Sequence, residues 1–245
     1  KVRQQGEVGV LADALADESF CRMLVKAIGR REALALTAGR IDFVPTSSFE
    51  TIVGEEIDSL AVHRGTGQST NATVVLGERA FVKAYRRLQV GVNPELEIGR
   101  FLTDVAHFEH CVPVAGSIEY VGPDGAPVTL AIVQKYVPHQ GDGWNLTVDY
   151  LSRFFEEQRV HARDDSDGHG AFLDLIGTLG LRVGQLHCAL GSKTGDPAFD
   201  PEPVDAARLQ SWRNRVKEET AESLALLERQ LDHLPADARV QAAAV

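Results

Sequence analysis

The sequence predicts an α+β fold, because strand-like segments fill most of residues 39–138, helical patterns take over from 139, and the join falls near residues 134–144. Two hairpins carry the first half of that expectation. Thr73-Val74-Val75-Leu76 is an apolar, β-branched run, Gly77-Glu78 is a two-residue turn, and Arg79 to Tyr85 is the return strand. Val112 to Val121 and Pro127 to Val137 flank a second turn, Gly122-Pro123-Asp124-Gly125.

The remaining elements follow in order. Residues 7–30 read as helical, with Phe20, Met23, Leu24, Ala27 and Ile28 on one face, Asp17 as a cap and Gly29 as a stop. Ile41 to Pro45 and Ile57 to His63 read as short strands, and Arg64 to Asn71 is a polar, glycine-bearing loop. In the first hairpin, alternation puts Phe81, Lys83 and Tyr85 on one face and Ala80, Val82 and Ala84 on the other. Asn93-Pro94-Glu95-Leu96-Glu97 has the signature of a helix start: an N-cap, a proline at the first helical position and acids in the first turn. Beyond Pro138, Val148, Leu151, Phe154 and Phe155 make one apolar stripe, and an acidic loop runs from Arg163 to Gly168. A long helix comes next, its predicted buried face marked by Phe172, Ile176, Leu179, Val183, Leu186 and Leu190. The connector Asp196 to Pro203 leads to a last helix with Leu209, Trp212, Val216, Leu224, Leu227 and Leu231 on one side.

Composition excludes several classes. The 245 residues suffice for one large domain or two modest ones, and 44% hydrophobic with 24% charged residues is ordinary for a soluble globular protein. A net charge of −10 argues against nucleic-acid or anionic-membrane partners. No stretch reads as a signal peptide or an apolar membrane span. Cys21, Cys111 and Cys188 are odd in number and lack metal-like spacing, which predicts a reducing, cytoplasmic setting and buried thiols. The chain starts at Lys1 and stops at Val245 inside a helical pattern, which predicts a fragment of a longer reading frame.

Lys83 is the leading candidate for chemistry. An ammonium in mid-strand beside two aromatics wants an anion, and a strand lysine paired with an acid on the next helix is how kinase-like folds hold nucleotide phosphates. Glu97 is the preferred partner because it lies deeper in the helix, with Glu95 as the alternative. Ser69, Thr70 and Asn71 sit where such folds lay hydroxyls and amides over phosphates, although hairpin loops are rich in these residues anyway. Gln134, Tyr136 and Val137 fall at the predicted join, where a kinase-like fold would read adenine with backbone groups, although the end of an edge strand predicts the same residues. Asp142 suits either a ribose or lobe-junction contact or a plain turn cap, while Trp144 and His187 read as packing residues.

Several long strings resemble the bacterial maltokinases, which belong with the aminoglycoside-phosphotransferase-like kinases and often occur fused behind trehalose synthase. They are Phe81 to Thr103 preceded by Ser69 to Ala72, Leu130 to Trp144, Leu179 to Leu190, and Thr194 to Pro203. The resemblance implies a protein-kinase-like two-lobe fold, truncated in its C-terminal lobe. Residues 1–38 would be a cap-like subdomain, 39–138 an ATP-binding lobe and 139–245 the first helices of the second lobe. It also implies ATP and Mg²⁺ as cofactors, maltose as the phosphoryl acceptor at its anomeric hydroxyl, and association or fusion with trehalose synthase. Within the family pattern Glu97 matches the acid of the NPxLE string. No HGD or HxD string occurs among these residues and no DFx string follows Lys83, where a catalytic or metal-binding aspartate of this kind would lie; the resemblance places both downstream of residue 245. The fragment alone is therefore predicted to be inactive. Kinases for another small sugar or amino sugar, and a nucleotide-binding pseudokinase module attached to a glycosyl enzyme, are the rival readings.

Overall fold

The computed structural model describes residues 2–4, 6–9, 12–64, 70–160, 169–235, 238, 239 and 242. The chain divides into two compact units, Lys1–Thr194 and Gly195–Val245. The first begins with a small antiparallel hairpin, β1 (Val2–Gln4) and β2 (Glu7–Gly9), turned at Gly6 with φ +87°. That corrects the expectation of helix from residue 7. Helix α1 (Glu18–Gly29) starts only where the Asp17 carboxylate accepts the amides of Ser19 and Phe20, at 2.8 and 3.2 Å. Its covered face keeps Ala27 and Ile28, with Phe20 and Leu24 partly buried against the core, adds Cys21 and Val25, and leaves out only Met23 of the predicted residues. Cys21, Val25 and Ile28 are 2%, 0% and 0% exposed, whereas Met23 is 46% exposed. Two residues advance a helix by about 200°, so Met23 cannot share a face with Cys21 or Val25.

A seven-stranded antiparallel sheet organises the rest of this unit. Its strands are β3 (Ala33–Ala35), β4 (Arg40–Pro45), β5 (Val62–Arg64), β6 (Ala72–Leu76), β7 (Ala80–Ala84), β8 (Val114–Val121) and β9 (Pro127–Lys135), in spatial order β3-β4-β8-β9-β7-β6-β5. The predicted strand at residues 57–63 is split, because Ile57–Ser59 forms a 3₁₀ turn closed by the Ser59 hydroxyl on the Glu56 carbonyl (2.9 Å) and only Val62–Arg64 pairs. The β6–β7 turn carries positive φ at both Gly77 (55°) and Glu78 (52°), the pattern of a type I′ turn that suits strand twist. A Cβ at Gly77 would also lie 2.5 Å from Leu60 Cδ2, so that position requires glycine twice over.

Helix α1 and the short α2 (Phe49–Val53) cover one face of the sheet. Val25, Ile28 and Val53 pack with Val74, Val82, Ala115 and Val133, all but inaccessible to water. Each such valine or isoleucine contributes about 1.5–3 kcal/mol relative to exposure. Helix α3 (Pro94–Arg100), continued by a π-helical turn Phe101–Val105, packs on the sheet through Leu96 against Val114 and Ile132, with Tyr85 alongside. Gly99 lets α3 come close, since a Cβ there would sit 2.5 Å from Val114 Cγ2.

After the sheet come α4 (Gly143–Val160) and α5 (Gly170–Leu190). Tyr150 of α4 stacks on Phe172 of α5, with ring centroids 4.0 Å apart and planes 6° from parallel, and Phe154 lies 4.8 Å from the His169 ring. The predicted buried face of α5 is not buried. No residue of that helix is, and Ile176, Leu179 and Val183 are 41%, 57% and 41% exposed. The apolar stripe predicts which face would be buried, and none of its residues is buried. His187 and Trp144 are likewise exposed rather than packed, as is Phe155. The acidic loop Arg163 to Gly168 lies outside the described residues.

The second unit is one long helix, α6 (Ala206–Gln230), and a 3₁₀ turn at Leu231–His233. Asp205 caps α6 through the Arg208 amide (2.7 Å). Its apolar side is open, with Leu209 and Val216 more than half exposed. Among the described residues no helix is long and apolar enough to cross a membrane.

Candidate functional site

Strand β7 and helix α3 build the site between them. Alternation along β7 points Lys83 and Tyr85 to the face that α3 covers, and in the sheet Lys83 stands between Thr73 of β6 and Ile132 of β9. The start of α3 is set locally. Asn93 accepts the amides of Glu95 and Leu96 at 2.9 and 3.4 Å, and Pro94 occupies the first turn, where its missing N–H costs nothing.

This geometry decides the partner of Lys83, and it is Glu95. Lys83 Nζ donates to both carboxylate oxygens of Glu95, at 2.9 and 2.7 Å. The expected partner, Glu97, lies two residues on and thus about 200° round the helix, the wrong side for β7. Glu95 is one turn before Gly99, the residue that allows α3 to approach β8, so it stands on the sheet side. That i, i+4 relation chooses Glu95 only once the approach of Gly99 to Val114 is known.

A third side chain, which sequence reasoning placed on this face without giving it a role, completes the cluster. The Tyr85 hydroxyl donates to Glu95 Oε2 at 2.7 Å, and Lys83 Nζ lies 5.4 Å from the centre of the same ring. Burial opposes ionisation of Glu95, but the hydrogen bonds from Lys83 and Tyr85 more than offset it and hold its carboxyl below the usual value. Burial first, and then the Glu95 carboxylate, push the Tyr85 phenol well above its usual range. The cluster is thus an ammonium, a carboxylate and a neutral phenol, with the ammonium about a quarter exposed and able to meet an incoming anion.

The other end of α3 has its own anchor, which the sequence reading missed. Arg100 Nη2 donates to Ser117 Oγ and to Glu119 Oε1, each at 2.6 Å, and the Ser117 hydroxyl donates to the same Glu119 oxygen at 2.6 Å. Ser117 is fully buried, so the hydroxyl depends on these partners. Arg100 lies one turn beyond Leu96, and Ser117 and Glu119 are two apart on β8, but those spacings do not announce that this helix and strand meet.

The remaining candidates are dispersed around this centre. Thr70 is exposed and Asn71 half-buried at the entry to β6, while Ser69 lies outside the described residues. Gln134 sits at the end of β9 opposite Phe81, on the Lys83 face. The Tyr136 amide donates to the Arg79 carbonyl at 2.7 Å, so it is engaged in holding the hairpin, and Val137 beyond it is exposed. Asp142 caps α4: Oδ1 accepts the Asn145 amide at 2.8 Å and Oδ2 the Asn145 side-chain amide at 3.0 Å. The thiols are only partly as expected, since Cys21 is buried, Cys111 half-buried and Cys188 exposed. Among the described residues no group of three or more His, Cys, Asp or Glu side chains is placed to hold a metal.

The antiparallel sheet with helices packed on it is an α+β fold shared with solved proteins of known name. Solved glucosamine kinases carry it: one crystal form superimposes with a TM-score of 0.53 at 22% identity, over 92% of this chain and 47% of that one. A glucosamine kinase in complex with glucosamine, ADP and inorganic phosphate gives 0.53 at 21% identity, over 92% and 45%. In sequence, the glucosamine kinase of Streptacidiphilus jiangxiensis is 29% identical over 157 residues, 64% of this chain and 33% of that protein. That of Mycolicibacterium smegmatis is 27% identical over 162 residues, covering 66% and 36%. The chain thus spans about a third of the length of the curated relatives it matches. No protein-family profile matches it.

Proposed function

We propose that this chain forms the nucleotide-holding part of an ATP-dependent sugar kinase. The observation that carries the reading is the Lys83–Glu95 chelate on β7 and α3, a half-buried ammonium held by a carboxylate with one side open. Phosphoryl transfer is catalysed mainly by positioning and by neutralising phosphate charge, and an ammonium held in advance does both. In this reading Lys83 meets the ATP phosphates and Glu95 fixes its direction. Ser69, Thr70 and Asn71 lie over the phosphates, the backbone near Gln134, Tyr136 and Val137 faces adenine, and Asp142 orders the start of α4. Because the Tyr136 amide is taken by Arg79, the adenine contacts fall to the Tyr136 carbonyl and the Val137 backbone. Mg²⁺ neutralises the phosphates in such enzymes. The described residues offer no cluster for it, so no step here runs through the ion.

Glucosamine is the first acceptor to test, because the relatives and solved structures that share the sequence and fold carry that substrate in their names. Maltose is the second, on the strings Phe81 to Thr103 and Leu130 to Trp144 that resemble maltokinases. The division into a cap-like region, an ATP-binding lobe and a helical second lobe belongs to the same proposal. The experiment is to supply the full-length protein with ATP and Mg²⁺, offer glucosamine and maltose separately, and locate phosphate on the product by ³¹P NMR. Turnover of either that Lys83→Ala removes supports the kinase. Nucleotide binding without transfer to any sugar would favour a non-catalytic nucleotide-binding module.

A further inference from the structure

We propose that Tyr85 is a positioning residue that selects Glu95 as the partner of Lys83 and holds the ammonium ready for phosphate before nucleotide arrives. The inference rests on the kinase reading of the same site and adds a residue to it. Its basis is geometric. A glutamate at the second position of a helix has free rotamers, and its two oxygens can be met by one lysine in many ways. Here the Tyr85 hydroxyl fixes Oε2 at 2.7 Å, and Lys83 then spans both oxygens at 2.9 and 2.7 Å. Tyr85 is itself anchored, because its ring packs beside Leu96, Val114 and Ile132 and it follows directly on β7, its amide bonded to the Leu130 carbonyl at 2.9 Å. The phenol therefore transfers the rigidity of the sheet to the first turn of α3. It also leaves Lys83 with a spare donor: three N–H groups, two of them on Glu95, and an aromatic face 5.4 Å away rather than a competing anion.

The same arrangement explains why Glu97 is passed over. Only an acid within reach of both Lys83 and the phenol gains two charge-assisted hydrogen-bonding partners, and Glu95 is the one that has them. Tyr85→Phe removes the hydroxyl and keeps the packed ring, so the fold should persist and only the direction of Glu95 should loosen.

The test is a double-mutant cycle in the full-length protein, with Lys83→Ala, Tyr85→Phe, Glu95→Gln and Tyr85→Phe/Glu95→Gln compared for kcat and for the KM of ATP and of the sugar. Tyr85→Phe should lower kcat/KM for ATP on the order of 10-fold, the size of one hydrogen bond to a charged group. The sugar KM and the unfolding temperature should hardly move. In the Glu95→Gln background, where no carboxylate remains to be aimed, the second change should add little. Wild-type ATP kinetics for Tyr85→Phe, or full additivity with Glu95→Gln, would overturn the assignment while a strong Lys83→Ala defect kept the kinase reading alive. Loss of nothing on Lys83→Ala would remove both.

Discussion

Helices α1 and α5 carry apolar stripes of the same kind, and only one of the two stripes is covered. Val25 and Ile28 of α1 are fully buried, while Leu179 of α5 is 57% exposed. Both read as amphipathic from spacing alone. The difference is what lies opposite: α1 meets the sheet face of Val74, Val82, Ala115 and Val133, whereas among the described residues α5 meets α4 through aromatic contacts such as the stack of Tyr150 on Phe172. Periodicity reports which side of a helix is apolar; it does not report whether a partner is present. The candidate site belongs to the covered region, so its side chains are aimed by a close-packed scaffold.

The largest effect expected from this contrast is chemical. Lys83→Ala in the full-length protein should lower kcat/KM on the order of 10²–10⁴-fold, since a preorganised cation opposite developing phosphate charge is lost. Its unfolding temperature should stay close to wild type because the lysine contributes a partly exposed ion pair, not core packing. Near-normal turnover would remove Lys83 from the site and leave the packed sheet as scaffold only.

Core truncation comes next and tests the scaffold itself. Ile28→Ala should cost about 2–5 kcal/mol of stability, as a fully buried side chain replaced by a cavity does. Urea unfolding followed by far-UV circular dichroism measures it. A change below about 1 kcal/mol would mean that α1 is not the clamp on the sheet that its burial indicates.

What was legible in the sequence separates along the same line. The two hairpins, the Asn93-Pro94 start of α3 and the face shared by Lys83 and Tyr85 follow from turn chemistry, capping and strand period, which are local. The choice between Glu95 and Glu97 needed the orientation of α3 on the sheet, which Gly99 and Leu96 set through contacts with Val114 and Ile132 across sequence. The Arg100–Ser117–Glu119 anchor is likewise non-local, joining residues from a helix and a strand whose pairing no spacing announces. The covered face of α1 was legible apart from Met23, and Cys21 and Val25, which stand at i and i+4 with Ile28 at i+7, were overlooked. The open face of α5 was not legible at all, because it depends on which elements face the helix.

A smaller effect is expected from pH. The Glu95 carboxyl is held below its ordinary value, so its pairing with Lys83 is fully present above the ordinary glutamate range and is lost only as pH falls through the lowered folded value. ATP affinity should therefore show no loss from Glu95 between about pH 5 and pH 8, and an acid-side loss that Glu95→Gln abolishes. Tyr85→Phe removes a donor to the carboxylate and should move that acid limb upward. A limb unchanged by Glu95→Gln would assign the titration to another group.

The smallest effect tests the uncovered side of the comparison. Leu179→Gln replaces an apolar group that already meets water over more than half its surface, so the folded and unfolded chains lose nearly the same hydrophobic term. Stability of the 245-residue chain should move by no more than about 0.5 kcal/mol. Solubility should rise and binding of a hydrophobic dye should fall, because a contiguous open apolar face drives self-association. The readouts are urea unfolding, light scattering against concentration and dye fluorescence. A cost above about 1.5 kcal/mol would mean that Leu179 is covered in solution, and a concentration-dependent cost would identify the cover as a second copy of the chain. Either result would replace the contrast between covered and open helices with one between internal and intermolecular burial.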